Sequence, residues 1–178
     1  VTISINFIRS FFTGSLALAS ITIRFSPLTR GFFNQEFARA EKKKLLTKIE
    51  KSGFNTVVLP DGATSSGAIE TVKDAQKCVR LFNEHRYEID GIIVSLPNFG
   101  DEISIAVTLS ESKLDAPVLV HATDDDTDMV DLLHRRDAFC GKVSVCNNLH
   151  QYGIPFTDTE MTATSVQLLT AAIIQKVL

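Results

Sequence analysis

A chain of 178 residues suits one domain, and a fold of that size buries roughly 70% of its unfolded surface. Its 18 Lys and Arg stand against 21 Asp and Glu, and the net charge of −3 argues against a nucleic-acid footprint. No run of about 18 apolar residues is present to span a membrane. Cys78, Cys140 and Cys146 form no C-x-x-C pair, which argues against a disulfide scaffold or zinc ribbon and makes a reducing cytoplasm the expected compartment.

The chain opens with VTISINFIRSFFTGSLALAS, in which Ala17-Leu18-Ala19 has the pattern of a signal-peptidase site. A positive leading region is missing, and Arg9, Thr, Ser and Asn interrupt the apolar part. Residues 1–20 are therefore read as an extension, and 21–178 as the domain. Ile21 to Phe25 alternates and is β-branched, the pattern of a strand that ends at Ser26-Pro27 and the polar turn Thr29-Arg30-Gly31. Residues 34–52 read as a helix, with Asn34 as N-cap and Gly53 as the stop. Phe37, Leu45 and Ile49 share its apolar face, and Glu41 to Lys44 are expected to face water.

The plan then repeats. Thr56 to Leu59 is a short buried strand, Pro60 to Gly67 a turn-rich loop, and Glu70 to about Tyr87 a helix with Val72, Ala75, Val79 and Phe82 as its stripe. Gly91 to Leu96 is an Ile- and Val-rich run, the composition of a strand buried on both faces. It breaks into Pro97-Asn98-Phe99-Gly100-Asp101, and a helix runs from Asp101 to Lys113. Asp115-Ala116-Pro117 turns the chain into a fourth strand, Val118 to His121. A helical turn near 129–135, a helix near 143–152 and a short strand at Ile154-Pro155-Phe156 follow, and the tail from Met161 is helix-like. Five such units call for an α/β, doubly wound, mostly parallel five-stranded sheet, a flavodoxin-like three-layer sandwich. Strand order 2-1-3-4-5 follows by analogy with that fold.

Several motifs fail on their chemistry. Gly62 to Gly67 follows a strand as a P-loop would, but Ala68 and Ile69 stand where Lys and Ser/Thr are needed. Asp124, Asp126 and Asp128 mimic the start of a calcium loop, yet Met129 and Arg135 occupy its Gly and Glu positions, and helix capping is the better account of the acids. Cys146 and His150 lie four apart, but two ligands do not make a zinc site. His121 closes a buried strand, where a satisfied core histidine and a functional one are both open. No nucleophile elbow or Ser-His-Asp order is visible. The residues alone reach a ligand-binding α/β domain, with its ligand at the carboxyl ends of the strands, where Asn98 and Phe99 lie. A simple turn bent by Asn98 and Gly100, with Phe99 packed on the next helix, is the other reading of that loop.

The blocks DGIIVSLPNFGDE at 90–102, PVLVHAT at 117–123 and RRDAFCGKVSVCNNLHQYGIPF at 135–156 resemble the amino-terminal region of L-fucose isomerase/L-arabinose isomerase-like sugar isomerases. TRGFF at 29–33 and SGFNTVVL at 52–59 fit the same pattern, and the resemblance covers roughly residues 21–158. It implies the first of three domains of an aldose–ketose isomerase, present here as a fragment. Such an enzyme uses a divalent metal, typically Mn2+, as Lewis acid while carboxylates move a proton through an enediol. The metal ligands of the family lie in later domains, so the resemblance implies no metal or cofactor bound by this chain alone and no catalytic residue within it. The domain is expected instead to close over a neighbouring subunit's site in a homo-oligomer and to contact a monosaccharide. The positions carried over as substrate-binding are Arg30, Asn98 and Phe99, with Phe99 standing where the fucose enzyme has Trp. A free-standing α/β sugar-binding or interaction domain without isomerase chemistry is the other reading.

Overall fold

The computed structural model describes residues 22–131 and 134–159. The expectations for residues 1–20 and for the tail from Met161 lie outside the described residues. Strand β1 (Thr22–Pro27) leads to helix α1 (Gln35–Lys51), β2 (Asn55–Val58), α2 (Val72–Glu84), β3 (Gly91–Leu96), α3 (Glu102–Ser112), β4 (Val118–Ala122), α4 (Ala138–Gln151) and β5 (Thr157–Asp158). The five strands form one parallel sheet in the order β2-β1-β3-β4-β5, the order expected.

The sheet is buried on both faces because successive side chains of its central strands point opposite ways. Ile92, Val94 and Leu96 of β3 and Val118, Val120 and Ala122 of β4 join Phe82 of α2, Ile105 and Leu109 of α3, and Val145 and Leu149 of α4. Ile93 and Leu119 pack on the other face with Ile23, Leu45 and Ile49, where α1 lies. Each fully buried Ile or Leu contributes roughly 1.5–3 kcal/mol through its removal from water. Helices α1 and α2 therefore lie on opposite faces, and the reversal of winding falls between β1 and β3, the place where open α/β sheets bind their ligands.

Local signals set most boundaries. Asn34 Oδ1 accepts from Phe37 N, Thr71 Oγ1 from Asp74 N, and Asp101 Oδ2 from Ser104 N, capping α1, α2 and α3. Helix α1 stops at Gly53, whose φ of 90° is open to glycine.

Three sequence expectations are corrected. Helix α4 starts at Ala138 rather than near 143, because the Asp125 carboxylate reaches across to cap Ala138 N and Phe139 N at 2.7 and 3.0 Å. The acidic loop does cap a helix, through an aspartate that sequence reading did not single out. Within the range 129–135 of the expected helical turn, Arg135 N donates to Asp131 O with helical spacing, after a turn closed by Met129 N on Asp126 O. The last strand lies at Thr157–Asp158, where Thr157 pairs with Leu119 and Asp158 with Val120, and not at 154–156. Lys42 does not face water: it is 6% exposed, and its Nζ donates to Leu59 O, Gly67 O and Asp61 Oδ1 at 3.0, 3.0 and 2.9 Å. That ammonium ties α1 to the ends of the 60–67 loop.

Candidate functional site

The junction at the carboxyl ends of β1 and β3 is built around Leu28. Leu28 N donates to Ser95 O on the β3 side, and on the other side Leu28 bridges Ile69. The chain after β2 thus returns to extend the sheet alongside the end of β1, and Thr29 N donates to Ile69 O. The loop after β3 lies directly against Leu28, since a Cβ on Gly100 would fall 2.5 Å from Leu28 Cβ. Only glycine permits that approach. From the far side Gly141 of α4 presses on the same loop: its missing Cβ would meet Phe99 Cα at 2.9 Å. Phe99 N donates to Arg136 O, and Thr123 Oγ1 to Pro97 O. The 97–100 loop is therefore held by β1, β4 and α4 together.

The structure brings the three expected site residues to this edge. Arg30 Nη2 donates to Glu102 Oε2 at 2.5 Å and lies 3.9 Å from Asp101 Oδ1. Its guanidinium stands over the Phe99 ring, 4.7 Å from the centroid. Phe99 in turn stacks on Phe33, with centroids 6.4 Å apart and planes 3° apart, and Arg135 approaches the Phe33 ring at 5.9 Å. Asn98 is 1% exposed, and neither its Nδ2 nor its Oδ1 has a hydrogen-bond partner. Leaving such an amide unmade costs about 1–3 kcal/mol per polar group. A ligand with both donors and acceptors is what this amide lacks.

Thr29 Oγ1 and Glu70 Oε1 are also buried without a partner, on the segments that flank Leu28. Sequence reading missed them, along with Phe33, Arg135 and Arg136. Thr29, Phe33 and both arginines fall in the TRGFF and RRDAFC blocks, so the signal was present without a residue assigned to it. His121 is buried on the α1 face with its Nδ1 3.4 Å from Ser95 Oγ. Burial, helped by Asp158, pushes the Cys146 thiol up to about 11, which disfavours the thiolate that a metal would need.

Residues 26–176 match the family described as fucose/sulfoquinovose isomerase, N-terminal domain. The chain belongs to this family. No curated protein matches it. Four of the five sequence blocks that resemble the sugar isomerases, at 29–33, 90–102, 117–123 and 135–156, reach the carboxyl edge of this isomerase-family sheet. Among the described residues no group of three or more His, Cys, Asp or Glu could hold a metal ion. Also among the described residues, no helix is long and apolar enough to cross a membrane.

Proposed function

We propose that this domain is the substrate-recognition edge of a metal-dependent aldose–ketose isomerase of the L-fucose/L-arabinose type, and that its ligand is a monosaccharide. The observation that carries the reading is Asn98, a buried amide with both polar atoms unpaired at the carboxyl edge of the sheet in a sugar-isomerase-family domain. Its Oδ1 accepts one sugar hydroxyl and its Nδ2 donates to another. Arg30 offers charge-assisted hydrogen bonds from guanidinium positions not taken by Glu102, and Phe99 packs on the C–H face of the ring.

The role of this chain is confined to binding and orienting. Proton transfer and the Mn2+ belong to other parts of the complete enzyme, and the isolated chain does not interconvert aldoses and ketoses. The exposed apolar residues Phe32 and Phe139, on the loop after β1 and at the start of α4, support an edge covered by a neighbouring subunit in a homo-oligomer. The test is a crystal structure of the complete protein with an unreactive sugar alcohol. Contact of that alcohol with Asn98 and Phe99 is the expected result, and an alcohol bound without touching Arg30, Asn98 or Phe99 would refute the reading.

A further inference from the structure

The chain segment that returns from β2 places one more functional group at this edge. Glu70 follows Ile69, the residue that bridges Leu28, and its Oε2 lies 3.5 Å from where a Cβ on Gly31 would stand. Its Oε1 is buried and has no partner. The carboxylate is not used as a helix cap, because Thr71 fills that role for α2. Nor does a cation neutralise it among the described residues. Lys77, on the same helix, is held by Ala63 O and Asp74, and Arg30 is held by Glu102. An ionised oxygen buried without a donor is costly, so the site is short of a hydrogen-bond donor at this point.

We infer that Glu70 is a specificity-determining residue that accepts a hydroxyl of the sugar and sets this edge for a neutral aldose against an anionic one. The inference rests on the sugar-recognition reading above. A carboxylate accepts only, whereas the Asn98 amide both donates and accepts, and the two stand on either side of Leu28 to Gly31. The charge balance points the same way. Asp101 and Glu102 flank Arg30, Glu70 lies beside the next residue, Gly31, and Arg135 pairs with Asp137 and Arg136 with Asp126 at 3.2 and 3.8 Å. Each of these arginines has a carboxylate within 4 Å, although the buried Arg135 Nε makes no aligned hydrogen bond, so a sulfonate or phosphate entering here meets more carboxylates than unpaired cations.

The experiment compares kcat/KM of the complete protein for a neutral probe, L-fucose or L-arabinose, with that for sulfoquinovose as the sulfonated probe. The wild-type protein is expected to favour the neutral sugar. Glu70→Gln, which removes the charge and keeps the shape, should narrow that preference by roughly fivefold or more. Glu70→Ala should raise KM for the neutral sugar about tenfold. Neither change should lower the melting temperature, because no protein partner is lost. A wild-type preference for sulfoquinovose, or an unchanged preference in Glu70→Gln, overturns the inference. Asn98→Ala separates the two levels of the argument. If it weakens turnover while both Glu70 variants behave as wild type, the role of Glu70 falls and the sugar edge stands. If all three behave as wild type, both fall.

Discussion

The guanidinium of Arg30 stands 4.7 Å from the centroid of the Phe99 ring, so the loops after β1 and β3 meet through these two side chains. They are 69 positions apart in sequence, and the parallel pairing of β1 with β3 is what joins them. Glu102 orients the arginine from the first turn of α3, and Phe33 supports the ring from below.

Arg30→Ala in the complete protein should lower kcat/KM by about tenfold or more, since a hydrogen bond from a charged group is worth about 1.5–3 kcal/mol. Stability should fall by no more than about 1–2 kcal/mol, because the ion pair is partly exposed and the contact with Phe99 is a single cation–π pair. Steady-state kinetics beside thermal melts check this. Unchanged kcat/KM would remove Arg30 from the site.

Gly141→Ala tests how the Phe99 loop is held. Alanine gains about 1 kcal/mol of helix propensity over glycine. Its Cβ would, however, stand 2.9 Å from Phe99 Cα and 3.2 Å from Gly100 N, both backbone atoms that cannot swing aside. Overpacking costs about 1–3 kcal/mol and should win. A melting temperature lowered by several degrees, with weaker sugar turnover, is the expected outcome. A wild-type melt would show that the loop yields freely.

Lys42→Met should destabilise the domain by about 2–4 kcal/mol, because the Leu59 and Gly67 carbonyls lose a charged donor in a buried place. The partner Asp61 gives a pH signature. The hydrogen bond from Lys42, and then its charge with those of Arg39 and Lys43, hold the Asp61 carboxyl below its ordinary value of 3.8. A lowered folded-state pKa contributes stability that is present above the ordinary value and is lost as pH falls through the folded one. The Asp61 side chain is 92% exposed, so the contribution is small. Melts of wild type and Asp61→Asn should separate slightly at about pH 6 and draw together as pH falls well below 3.8, through the lowered folded-state value. Equal separation at both would contradict the assignment.

The strands and the Asn34 cap of α1 were legible in the sequence because each rests on local chemistry, β-branched runs and an Asn ahead of a helical pattern. The sheet order came by analogy with the fold, and the Thr71 and Asp101 caps were not singled out. What else escaped depends on residues distant in sequence. Asp125 begins α4 from 13 positions upstream. Lys42 sits in a Lys42-Lys43-Lys44 run that looks solvated, and only the fold of the 60–67 loop shows why its first lysine turns inward. The site divides the same way. Asn98 and Phe99 stand out at the end of a buried strand, whereas Glu70 joins them only because the chain after β2 returns to Leu28.

Asn98→Leu tests the central claim most directly. A buried side chain that makes no hydrogen bond in the free domain loses none when an apolar residue of similar size replaces it. The account predicts a melting temperature equal to or above that of the wild type, together with a kcat/KM for the sugar lowered about tenfold or more in the complete protein. A variant that melts lower and turns over sugar as fast as the wild type would show that the Asn98 amide serves the fold and not the substrate.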